Sequence, residues 1–135
     1  MKRGLLPLID IIDGDFSIEE VVAGAKRSDA GALVVFLGTV RDDGIVGMEV
    51  EAYREVALPE LERIRDEAME RFHLKSVEVI HKVGALSVGD DIVVIACAAA
   101  HRQEAFQGCL HILEEIKDRA PIWKKEINPS GHRWI

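Results

Sequence analysis

Positive charge is what this sequence is short of. Its 135 residues carry 17 Lys and Arg against 24 Asp and Glu, a formal net charge of −7, whereas a protein that grips phosphate backbones needs a concentrated basic surface. No glycine-rich phosphate loop follows a strand-like run, so nucleotide binding of that kind is excluded together with nucleic acid. Long hydrophobic runs are missing too. The longest, Ile92 to Ala100, falls far short of the ~20 residues a membrane-crossing helix needs. Cysteine is reduced to Cys97 and Cys109, in an apolar strand pattern and on an apolar helix face; with neither metal nor redox spacing, both are expected as buried reduced thiols without a role. The basic start Met1-Lys2-Arg3 reaches Asp10 and Asp13 before any sustained apolar region, which is the wrong pattern for a secretory signal. A cytoplasmic protein with no membrane contact is expected.

What remains is the composition of one globular domain over residues 1–135, 48% hydrophobic and 30% charged, long enough to bury a core. The charge is unevenly spread. Residues 1–100 hold 11 Lys and Arg against 19 Asp and Glu, a balance of −8, while residues 101–135 hold 6 against 5, a balance of +1. An anionic ligand belongs at the C-terminal third.

Taken in order, Leu8 to Ile12 reads as a short strand, and Ser17-Ile18-Glu19-Glu20 as a capping box that opens a helix to about Lys26. The apolar run Gly31 to Leu37 predicts a strand covered on both faces, ending in Gly38-Thr39-Val40-Arg41, with a turn at Asp42-Asp43-Gly44. Met48 to Tyr53 alternates as a half-exposed strand does, and Leu58, Leu61, Ile64, Ala68 and Phe72 then carry a helical period with Pro59 tolerated in the first turn. Val77, Val79, His81 and Val83 mark another strand, Gly89-Asp90 a turn, and Asp91 to Ala100 a second fully buried strand. Four or five strands broken by three helices, with hairpin-like joins at 42–47 and 84–90, predict an α+β fold with a mainly antiparallel sheet.

The last helix is the most informative. With Arg102 at zero on a wheel of about 100° per residue, Phe106, Cys109, Leu110, Leu113 and Ile116 fall within roughly 80° of it and Lys117 at about 60°. Gln103, Glu104, Gln107, His111, Glu114, Glu115 and Asp118 fill the opposite side. Two cations on an apolar face either snorkel out on their long stems or meet an anion, and the wheel leaves both readings open. Fifteen residues of helix separate Arg102 from Lys117 by about 22 Å, so a small anion that needs both requires a second copy of the chain. His101-Arg102 at a helix N-terminus is itself a seat for phosphate. At the other end Ala120-Pro121 stops the helix, leaving Lys117 and Lys124 on either side of a fixed corner beside Trp123. His73, His81, His111 and His132 lie on separate elements without ligand spacing, so neither a metal site nor a cofactor is expected.

Four segments in this order carry a family resemblance: Phe36-Leu37-Gly38-Thr39-Val40-Arg41, Gly84-Ala85-Leu86-Ser87-Val88-Gly89, Ala100-His101-Arg102-Gln103-Glu104-Ala105-Phe106, and Ile116-Lys117 through Pro121-Ile122-Trp123-Lys124-Lys125-Glu126. From about residue 8 onward the chain resembles the catalytic (large) subunit of molybdopterin synthase. It departs from the family pattern at Val50, where a tyrosine is common, and at Val56-Ala57 in place of Met-Ala, both read as packing changes.

The resemblance implies an α/β-hammerhead-like fold with a small additional sheet. It implies a sulfurtransferase that installs the two dithiolene sulfurs of molybdopterin on cyclic pyranopterin monophosphate, in molybdenum cofactor biosynthesis. The sulfur arrives as a thiocarboxylate on the C-terminus of a small ubiquitin-like subunit, and a central homodimer carries one small subunit at each end, making a heterotetramer. By matching positions, Lys117 and Lys124 are the implied catalytic lysines. Thr39, Val40 and Arg41 line the substrate pocket with Lys124, Lys125 and Glu126, while His101 and Arg102 come from the neighbouring subunit. The chemistry agrees: two anions meeting in a poorly hydrated pocket need fixed cations, and a desolvated lysine near other cations can move protons. The alternative is a non-catalytic dimeric module that holds a ubiquitin-like protein or a phosphorylated pterin, for which both lysines are not needed.

Overall fold

A computed structural model describes residues 8–135; Met1–Pro7, and with them the reading of the N-terminus as non-secretory, lie outside the described residues. The elements run β1 (Ile9–Ile12), α1 (Ile18–Ala25), β2 (Ala32–Thr39), β3 (Gly47–Ala52), α2 (Arg54–Phe72), β4 (Leu74–Lys82), β5 (Gly84–Ser87), β6 (Asp91–Ala99), α3 (Arg102–Arg119), β7 (Ile122–Asn128) and β8 (Gly131–Trp134). They form two four-stranded sheets, ordered β1-β4-β6-β2 and β5-β3-β7-β8. Only the β1–β4 pairing is parallel among the described strands. The α+β expectation, mainly antiparallel with three helices and a second small sheet, is borne out.

The join at 42–47 is not a hairpin, whereas that at 84–90 links the antiparallel neighbours β4 and β6 by way of β5. β2 and β3 belong to different sheets, and β5 leaves the first sheet to pair with β3 before the chain returns as β6. Gly47 allows this crossing, because a Cβ there would sit 2.7 Å from the Leu86 carbonyl oxygen.

Each helix covers the face that its apolar spacing demands. In α1, the Ser17 hydroxyl accepts from the Glu20 N–H at 3.2 Å as the capping box requires, and Val21 and Ala25 pack on Ile80, Val94 and Ala96. On the other face α2 and α3 bring Leu61, Ile64, Ala105, Ile112 and Ile116 against Val77, Val79, Ile95 and Cys97. β4 and β6 are thereby buried on both sides, and even Glu78, His81 and Lys82 are enclosed. β2, expected to be buried on both faces, is instead an edge strand whose Val35 and Leu37 stay exposed. The reason is lateral: α1 lies over β4 and β6.

α3 is also rotated relative to its wheel. Its buried stripe is Ala105, Gly108, Cys109, Ile112 and Ile116, whereas Phe106 is 63% and Leu110 58% exposed. Gly108 sets this rotation by letting Leu74 approach; a Cβ there would meet its methyl carbons at 2.8 Å. Phe106, Leu110 and Leu113 therefore form a ridge beside Val34, Val35 and Phe36 of β2, around an apolar groove of about 320 Å³. Cys97 and Cys109 are buried free thiols, as expected. Among the described residues no helix is long and apolar enough to cross a membrane.

Candidate active site

The corner at Ala120-Pro121 forms as predicted. α3 caps at Ala120 in an extended conformation, and β7 starts at Ile122. One residue before the cap, the Arg119 guanidinium is gripped by three carboxylates: Glu60 at 2.6 Å and Glu67 at 2.9 Å from α2, and Glu115 at 3.2 Å one turn back. A planar fork held this way fixes the last turn of α3, and with it the exposed Lys117.

β7 lies between β3 and β8, so its side chains alternate between two faces. Ile122, Lys124 and Glu126 stand opposite Ala52, Val50 and Met48, and since Val50 and Met48 belong to the core, the Lys124 stem enters the same side. Its ammonium is half-buried. Burial lowers its proton affinity, and the charge of Lys117 lowers it further. The structure thus brings the two lysines together across the corner, and Glu126 shares the face of Lys124.

The other predicted residues are distributed differently. Lys125 points to the opposite face of β7, where it sits 3.7 Å from Glu49 and 4.9 Å from the Trp134 ring centroid. Glu126 is buried and accepts from Arg133 at 2.6 Å. Thr39 closes β2 and is exposed. Val40 buries its side chain in the core while its backbone bonds Asp90 at 2.9 Å and Gly89 at 2.8 Å. Arg41 reaches into solvent: its side chain is 83% exposed and donates to Asp43 of the same loop at 2.9 Å. His101 is the N-cap of α3 without a side-chain cap bond, and with Arg102, Gly31, Ala100 and Gln103 it lines a recess of about 460 Å³. The helix runs unbroken from Arg102 to Arg119, so the distance of about 22 Å from Arg102 to Lys117 stands. One subunit does not bring these residues together. A further recess of about 480 Å³ between β1 and α1 is lined by Asp10, Asp15 and Glu20 among apolar side chains, a poor host for an anion.

Sequence reasoning passes over His81. It sits at the apolar parity of Val77 and Val79 on β4, is 3% exposed, and its Nδ1 lies 2.9 Å from the Lys82 carbonyl oxygen. Burial, aided by the charge of Lys124, pushes its pKa down to about 4 from 6.5. Between those values the unfolded chain binds the proton that the folded chain refuses, so stability is full above about pH 6.5 and falls as the pH drops toward about 4, by about 3 kcal/mol. Urea midpoints across this range should show the slope, and His81→Gln should flatten it.

The likeness to known proteins agrees with this geometry. The family model described as MoaE protein matches residues 11–119. The chain belongs to the MoaE protein family. Among its curated relatives, the molybdopterin synthase catalytic subunit of Pyrococcus abyssi is 43% identical over 126 residues, covering 90% of this chain and 84% of the relative. The Vibrio cholerae subunit of the same name is 44% identical over 126 residues with the same two coverages. A crystal structure of molybdopterin synthase from Staphylococcus aureus superimposes with a TM-score of 0.88 at 31% identity, covering 98% of both chains. Membership of the MoaE family makes this chain an enzyme subunit of the molybdopterin synthase class, in molybdenum cofactor biosynthesis. Within the MoaE match lie the β2 terminus with Arg41, the α3 start with Arg102, and Lys117.

Proposed function

We propose that the Lys117–Lys124 corner transfers sulfur from the C-terminal thiocarboxylate of a small ubiquitin-like partner to cyclic pyranopterin monophosphate, forming the molybdopterin dithiolene. The observation that carries this reading is the half-buried Lys124, its proton affinity lowered by burial and by the adjacent Lys117. Both reactants are anions, and two fixed cations in a partly dry setting lower their repulsion. Lys117, exposed at the corner, receives the thiocarboxylate tail; Lys124 faces the pterin and its phosphate. When the sulfur bonds to the pterin side chain, the cyclic phosphate ester opens as the leaving group and the partner remains attached through an acyl–sulfur bond, which water cleaves to leave sulfur on the substrate and a carboxylate on the partner. A second thiocarboxylated partner supplies the second sulfur, with a side-chain oxygen leaving as water. A lysine that gives up and regains a proton readily serves those steps.

A second copy of the chain completes the site in this reading. Along the exposed edge of α3 lie Arg102, Phe106, Leu110, Leu113 and Lys117, and both the Arg102/Lys117 and the Phe106/Leu113 pairs are centred between Cys109 and Leu110. A two-fold axis there packs two α3 helices antiparallel, buries the Phe106 and Leu110 ridge against its own copy, and sets Arg102 of each chain beside Lys117 of the other. His101 travels with Arg102, and the homodimer leaves both corners open to a small subunit, as a heterotetramer requires.

The experiment mixes the chain with a thiocarboxylated small partner and cyclic pyranopterin monophosphate and follows the pterin product. Dithiolene formation is the expected result. Stable binding of both reactants without product would instead make the chain a non-catalytic dimeric module.

A further inference from the structure

We infer that Arg133 is a positioning residue that acts through Glu126: by holding the buried Glu126 carboxylate toward β8, it keeps that acid off Lys124 and leaves the Lys124 ammonium free to meet an anion. The inference rests on the proposed role of Lys124 in sulfur transfer and gives a part to a residue to which that reaction assigns none.

Register places the three groups side by side. On β7, Lys124 and Glu126 lie two residues apart, so strand alternation sets both side chains on one face with their Cα atoms roughly 6.6 Å apart. Their opposites on β3, Val50 and Met48, belong to the core. From the other side, Arg133 of β8 stands directly opposite Glu126. A carboxylate so placed can pair along its own strand or across to the next. It pairs across: Arg133 Nη2 donates to Glu126 Oε1 at 2.6 Å, a charge-assisted bond. Neither Lys117 nor Lys124 makes an ion pair among the described residues.

Burial makes the choice of partner matter. Glu126 is 8% exposed, and a carboxylate enclosed to that degree needs a cation or loses its charge. Without Arg133, the cation on its own face of β7 is Lys124. That contact would raise the proton affinity of the lysine, tether its ammonium, and cancel the charge that an incoming thiocarboxylate or phosphate meets. Arg133 suits the task, because its guanidinium keeps its charge at every accessible pH and its side chain stays 69% exposed.

The other groups around Lys124 do not compete with Glu126. Lys117 from α3 repels its proton, and Val50 from β3 is apolar. His81 from β4, which feels the charge of Lys124, is kept neutral by burial. Lys125 lies on the opposite face of β7 and pairs with Glu49.

Arg133→Met removes the charge and keeps most of the stem. The Lys124 ammonium can be titrated directly by NMR in full-length protein carrying isotope-labelled lysine, with Lys124→Arg identifying the signal. Arg133→Met should raise the affinity of Lys124 for its proton about tenfold, a shift of about one pH unit, and lower kcat with its pH limb moved upward by the same amount. Arg133→Lys keeps a cation opposite Glu126 and should stay near wild type in both. Adding Glu126→Gln to Arg133→Met should return the Lys124 titration to its wild-type position. An unchanged titration in Arg133→Met, or a shift that Glu126→Gln does not reverse, overturns the inference. Should Arg133→Met fail to fold, the wild-type protein decides. Its Glu126 carboxyl carbon, assigned with Glu126→Gln, should not follow the titration of Lys124; a carboxyl that follows it is already paired with the lysine and ends the inference. A shifted and reversed titration in protein that makes no dithiolene would uphold the positioning role and remove the sulfur-transfer reading instead.

Discussion

Lys124→Ala should lower dithiolene formation by about 10²–10⁴-fold, the range that a positioned proton-transfer group contributes, while the melting temperature changes little. The ammonium is only half enclosed and sits beside another cation, so removing it relieves repulsion as well as losing packing of the stem. Lys124→Arg distinguishes charge from proton transfer. A guanidinium restores the positive charge but does not release its proton at accessible pH, so this variant should bind cyclic pyranopterin monophosphate and still fail to turn over. The pH profile carries the same information. The Lys124 limb of kcat should lie below 10.5, the ordinary lysine value, and Lys117→Ala should move that limb upward, since the neighbouring charge that disfavours protonation has gone. Rate profiles of the wild type and these three variants check each point; recovery of wild-type turnover by arginine would reduce Lys124 to a fixed charge.

Much of the fold is legible in the order of the amino acids. The capping box at Ser17, the proline stop after α3 and the alternation of Met48 to Ala52 depend on local chemistry, which sequence carries directly. What escapes depends on lateral neighbours. Gly31 to Leu37 reads as a doubly covered strand because valine and leucine occupy both parities, yet β2 lies at a sheet edge, a fact that resides in the order of strands. β7 escapes for the opposite reason. Trp123-Lys124-Lys125-Glu126 shows no alternation of apolar and polar residues, and it forms a strand because β3 and β8 flank it and its charges find Glu49 and Arg133. The α3 wheel places Phe106 in the core because a wheel records hydrophobicity and not the small residues that let a neighbour close in; Gly108 and Ala105 turn the buried stripe away from it.

The site divides along the same line. Lys117 and Lys124 flank a corner that Pro121 announces, and their meeting is expected from it. The separation of Lys125 from Lys124 follows from strand alternation, which is visible only once β7 is known to be a strand. The grip of Glu60 and Glu67 on Arg119 and the burial of His81 between β1 and β6 join elements far apart in the chain, and no local pattern marks them.

The proposed sharing of the site between two copies gives the sharpest test. In the proposed dimer each site takes Lys117 and Lys124 from one chain and His101 and Arg102 from the other. Lys124→Ala and Arg102→Ala homodimers then each carry a defect in both sites. When the two variants are unfolded together and refolded, about half the dimers are mixed, and every mixed dimer concentrates both defects in one site and leaves the other intact. The measurement is dithiolene formation by the refolded mixture. A shared site predicts recovery to about a quarter of wild-type activity, from two preparations that separately show almost none; a mixture as inactive as its components would contradict it.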